Sequence, residues 1–123
     1  MTENPYQKYK EGAVMTMTQG EMLLLLYDEL LKRLRAAELL LEKKDYKNFD
    51  GQTDRAAAIV RYLRGALDFS YPISNDLYRM YNFFLVEINR IKASRKADHI
   101  EELKGLVLEF RDAFKEAEKK VSE

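Results

Sequence analysis

The sequence has no cysteine and no tryptophan, two prolines, five scattered glycines and one histidine in 123 residues. Its 21 basic and 21 acidic side chains cancel. Each of these scarcities excludes something. Without cysteine there are no disulfides and no thiolate metal sites, and a reducing compartment is permitted. Without net charge there is no global pull toward nucleic acid or an anionic membrane, so neither is expected as a partner. The longest apolar run, Met22 to Tyr27, is far too short to cross a bilayer, so no membrane insertion is expected. Met1 to Lys10 is polar and lacks the apolar stretch of a secretory signal. The expected location is therefore the cytoplasm.

Catalytic groups are scarce as well. A dimetal bundle needs Glu-x-x-His pairs on facing helices, and His99 is the sole histidine. No glycine-rich phosphate loop and no G-x-S-x-G elbow occurs. The pair Glu101-Glu102 falls on a polar helix face, where water keeps carboxylates ordinary. The run Arg90, Lys92, Arg95 and Lys96 suits the end of a helix, where cations complement the dipole; a site for phosphate or an acidic partner is the alternative reading. The expectation is a protein that is not an enzyme, with no catalytic residue, metal or cofactor.

What the chain does have is helical periodicity. Hydrophobic residues make up 46% of it and charged residues 34%, enough apolar content to fold. A domain of this size buries roughly two thirds of its unfolded surface. Four stripes spaced by three and four residues predict four helices. The first runs through Leu23, Leu26, Tyr27, Leu30, Leu34, Ala37 and Leu41, opened by a Thr18–Glu21 capping box. The second has Phe49, Thr53, Ala56, Val60, Leu63 and Leu67, capped by Asp45. The third has Leu77, Tyr81, Phe84, Ile88 and Ile91, capped by Ser74 after the Ser70-Tyr71-Pro72-Ile73 turn. The fourth has Ile100, Leu103, Val107, Phe110, Phe114 and Ala117, with Asp98 and Glu101 as a second box. The expected fold is all-α: an antiparallel four-helix bundle over 18–123, with helices near 19–44, 46–68, 75–95 and 99–120. An N-terminal strap over 1–17 packs across it.

The helices carry more apolar faces than they need for one another. A helix buried on one side leaves its far side polar. Here Ile59, Tyr62 and Ala66 form a second stripe on the second helix, and Phe83 and Val86 lie among charged residues on the third. These five are the candidate partner-binding residues, as a groove for another chain's helix or a surface for self-association, and the Ile59-Tyr62-Ala66 stripe reads equally as a wide core face. In the leader, Tyr6 and Tyr9 follow Pro5, which keeps the segment from starting as a helix. They are candidate anchors of a strap over apolar bundle surface.

Several of these residues, in order, resemble one family. They are Asn4-Pro5-Tyr6-Gln7-Lys8-Tyr9 (N-P-Y-x-x-Y), Leu25-Leu26-Tyr27-Asp28 (L-x-Y-D), Lys44-Asp45-Tyr46, and Leu63-Arg64 with Ala66-Leu67-Asp68 (L-R-x-x-L-D). Ile73-Ser74 with Leu77-Tyr78-Arg79-Met80-Tyr81 follows, and then the leucine-rich stretch from Leu103 ending Arg111-Asp112-Ala113-Phe114. Together they resemble the flagellar export chaperones of the FliS type, nearly end to end. Departures from the family pattern are Gln19 for a common proline, Glu29 for a small residue, Asp76 for asparagine and Phe114 for tryptophan. The resemblance implies a helical bundle with the leader packed across it. It also implies a chaperone that binds the disordered C-terminal segment of flagellin, blocks premature polymerisation, and delivers it to the export gate of the flagellar type III secretion system. The alternative is a structural or regulatory bundle that only self-associates, for instance as a homodimer, with no flagellin client.

Overall fold

The computed structural model describes residues 19–122. Four helices follow one another: α1 (Gln19–Glu42), α2 (Tyr46–Gly65), α3 (Ile73–Ser94) and α4 (Ala97–Ser122). They form a ring in which α1 and α3 each pack against both α2 and α4, and the α3–α4 seam is the least closely packed. The strap with Tyr6 and Tyr9, and the Thr18 cap, lie outside the described residues.

The predicted stripes meet in one core. Tyr27, Leu30, Leu34 and Ala37 of α1 are buried with Phe49, Ala56, Val60 and Leu63 of α2, Tyr81, Phe84, Ile88 and Ile91 of α3, and Ile100, Leu103 and Val107 of α4. Fully burying one such large aliphatic side chain contributes about 1.5–3 kcal/mol before entropy is counted. Thr53 is buried too, because its hydroxyl donates to the Asp50 carbonyl one turn back, at 2.9 Å. Phe110 and Phe114 are only half buried and stack edge-on against Tyr27. Ala117 is exposed, so the fourth stripe stops working before the helix does.

Local chemistry sets the ends. Lys44 adopts φ 59° after α1, and the Lys43, Lys44 and Asp45 amides donate back to Leu39, Leu41 and Leu40 carbonyls. Asp45 then caps α2 by accepting from the Asn48 amide. The capping expected of Ser74 and Asp98 is not seen. Pro72, at φ −56°, occupies the cap position of α3, because its fixed φ and missing N–H suit a helix start. Ser74 is the second residue of α3, and its buried hydroxyl donates to the Asp68 carbonyl. Asp98 lies within the first turn of α4, which begins at Ala97.

Candidate functional site

The α2–α3 connection builds one end of the bundle. After Gly65 the chain turns at Asp68, whose carboxylate accepts from the Ser70 amide at 2.9 Å and its hydroxyl at 2.6 Å. Those bonds hold the Asp68 carboxyl below the usual carboxylate range. The Tyr71 amide closes the turn on the Asp68 carbonyl, at 3.2 Å. This geometry swings Tyr71 and Ile73 out, so that they stand 63% and 62% exposed. Phe69 stacks edge-on against Tyr78 at 5.8 Å.

Between this turn, the start of α1 and the later part of α4 lies a groove of about 800 Å³. Its walls are Leu23 of α1, Leu63 of α2 with Ala66 and Leu67 just past its end, Tyr71, Ile73 and Leu77 beside the turn, and Phe114 of α4. Asp68 is the one charged side chain among the described lining residues. Tyr27 and Tyr81 also line the groove yet are almost fully buried, so they form its floor. Their hydroxyls are 2.6 Å apart. Burial is the main cause that raises both phenol pKa values, and for Tyr27 the neighbouring Tyr81 adds to it. The volume suits bulky apolar side chains. The walls offer shape and apolar contact rather than a nucleophile or a ligand set.

The five candidate residues do not share one surface. On α2, Gln52 faces α1, since Arg33 donates to it at 3.0 Å. Ile59 and Ala66 follow Gln52 at heptad spacing and so fall on the same flank. Ile59 is half buried against the core, Ala66 opens into the groove, and Tyr62 points further outward, 57% exposed. On α3, Asn82 and Lys92 face α2, accepting from Arg64 and donating to Asp54. Phe83 lies on the other flank, in a shallow apolar cleft of about 480 Å³ with Met80 and Leu106. Val86 is exposed beside it. Tyr27, Leu77 and Tyr81 were legible only as core positions, and Tyr71 and Ile73 only as a turn. The density of aromatic residues around Pro72 was the available signal.

The charged features are internal. Lys104 pairs with Glu38 at 2.6 Å and Glu101 at 3.2 Å, and Arg111 reaches Asp28 at 2.8 Å, tying α4 to α1. In the basic run, Arg90 faces Glu87, Lys92 pairs with Asp54, and Arg95 lies 4.0 Å from Asp50 and over the Tyr46 ring. These contacts favour the structural reading of that run. His99 meets the Ser94 hydroxyl at 3.2 Å. Among the described residues no group of three or more acidic, histidine or cysteine side chains is placed to hold a metal. None of the described helices is long and apolar enough to cross a membrane.

A solved structure described as a flagellar chaperone from bacteria superposes with a TM-score of 0.78, covering 94% of this chain and 95% of that one. At 19% identity it speaks for the fold. The flagellar secretion chaperone FliS of Bacillus subtilis (strain 168) is 30% identical over 115 residues, 94% of this chain and 86% of the relative. The family model of the flagellar protein FliS matches residues 2–121. A helical bundle without catalytic groups among its described residues, opened at one end by an apolar groove, suits that assignment, and the chain belongs to the FliS family of flagellar secretion chaperones, which are not enzymes.

Proposed function

We propose that this chain binds the C-terminal segment of flagellin in the cytoplasm, keeps it from polymerising, and delivers it to the export gate of the flagellar type III apparatus. The observation that carries the reading is the end groove, whose lining is mostly apolar. The family supplies the flagellar role. The groove supplies a place where a disordered chain gains order by burying one apolar stripe. Ala66 contributes to that groove directly, with Ile59 and Tyr62 continuing its α2 flank. Phe83 and Val86 form a separate contact on the α3–α4 seam, where a long client segment wrapping the bundle would pass.

Residues 1–17 act in this reading as a strap beside the bundle of 18–123. The leader joins α1 next to Gly20, which lines the groove. Tyr6 and Tyr9 would cover apolar surface until a client displaces them. No metal or cofactor takes part.

Calorimetric titration with a flagellin C-terminal peptide tests the proposal. Binding with a negative heat-capacity change is expected. No binding at concentrations on the order of tens of micromolar overturns it. Ala66→Asp, which puts a charge into the groove wall, should weaken binding at least tenfold, for a cost of about 1.4 kcal/mol or more. Phe83→Asp should have a smaller effect unless the peptide extends past the groove.

A further inference from the structure

Resting on the client-binding reading, we infer that the Tyr27–Tyr81 hydroxyl pair reads a hydrogen-bond acceptor in the client, so that the groove selects a segment bearing a neutral oxygen among its apolar side chains. Two phenols carry two O–H donors between them, and the contact between their oxygens uses one. Neither ring has a further hydrogen bond to a described side chain or backbone group. Both rings are almost wholly buried and line the floor of the mostly apolar groove, so the second donor lies beside it, where leaving it unmet is costly.

A segment that seats only apolar groups there leaves that buried donor unmet. A segment that brings a carbonyl or hydroxyl oxygen regains the bond in a low-dielectric setting, where it counts for more. The same setting disfavours a carboxylate, because Asp68 at the rim repels it and burial penalises its charge. The matching chemistry is a side-chain amide, a hydroxyl, or a free carbonyl at a helix C-terminus, flanked by aliphatic residues. The rings contribute the second half of the device. Tyr27 is wedged edge-on against Phe110 and Phe114, and Tyr81 lies against Phe84 at 6.3 Å. The hydroxyls are thus held in place before a client arrives, and little ordering is left to lower affinity.

The experiment compares the full chain with Tyr27→Phe, Tyr81→Phe and the double variant, in thermal unfolding and in calorimetry with the same flagellin peptide. Removing both hydroxyls removes both partners, so the double variant should unfold within a few degrees of the parent. Its affinity should fall roughly five- to tenfold, the worth of one hydrogen bond. Each single variant retains one donor and should bind closer to the parent than the double does. Tyr46→Phe, which removes a hydroxyl from the far end of the bundle, should leave affinity unchanged. A double variant that is folded and binds like the parent overturns the inference while leaving the client proposal standing. Tighter binding by the double variant also overturns it, since the acceptor would then belong to the chain's own leader. A parent that does not bind overturns both.

Discussion

Burial gives individual tyrosines in this chain very different chemistry. Tyr27 and Tyr81 have phenol pKa values raised above the ordinary one, first by burial. The folded state therefore keeps protons that the unfolded chain releases above about pH 10. The resulting stability is intact below that pH and declines as the pH rises from there toward the folded values. Tyr46, Tyr62, Tyr71 and Tyr78 are exposed. An alkaline titration followed by phenolate absorbance and circular dichroism, run on the parent and on the double phenylalanine variant, isolates the buried pair. The Tyr27 and Tyr81 signal should appear only together with loss of helical circular dichroism. In the Tyr27→Phe, Tyr81→Phe double variant that late step should vanish. At this scale the sequence marked both rings correctly as inward-facing. It could not show that their oxygens meet, because that depends on the relative height of α1 and α3.

Among the elements, boundaries followed backbone chemistry more closely than the polar residues nearby. Asp45 caps α2, but Ser74 is spent on the Asp68 carbonyl, since Pro72 already holds the cap position two residues earlier. A serine immediately after a turn reads equally well as a cap or as a tether. Lys44 is held in the left-handed region, at φ 59°, where a Cβ is strained and glycine is not. Its side chain is exposed. Lys44→Gly should stabilise the protein by about 0.5–1 kcal/mol, after allowing for the extra freedom glycine gains when unfolded. A rise of a few degrees in the thermal midpoint would register it; a fall would show that Lys44 contributes contacts of its own. The same logic explains α4, whose stripe predicted Ala117 inward. The helix continues, but its partners do not cover that face.

For the whole molecule, the ring order of the helices separates two apolar regions. The end groove lies between the start of α1, the α2–α3 turn and the later part of α4, whereas Phe83 and Leu106 lie at the α3–α4 seam with Val86 exposed beside them. If self-association rather than client binding uses the exposed apolar surface, the seam is its natural place, because Phe83 and Val86 are 46% and 62% exposed on one flank. Sedimentation of the full chain over a wide concentration range should then show a dimer that Phe83→Asp abolishes. A monomer at all concentrations would remove that use and leave the seam to the client. Acid has a predictable effect at this scale too. The carboxyls of Glu101 and Asp68 are held below their ordinary range, Glu101 by hydrogen bonds in the Glu38–Lys104 cluster and Asp68 by Ser70. Stability from these contacts is present above the ordinary carboxylate range and is lost as the pH falls through the folded values.

The sequence by itself determined the helices, the face each one buries, the absence of thiol chemistry and, through its ordered motifs, the family. Periodicity and composition are local properties, readable along a single strand of text. Only the tertiary structure decided which surplus apolar residues share a surface. It sent Ala66 to the end groove and Phe83 to another flank, and it turned two core tyrosines into a groove floor. Those outcomes depend on which helices are neighbours and at what height they meet, and that is set by packing between residues far apart in the chain.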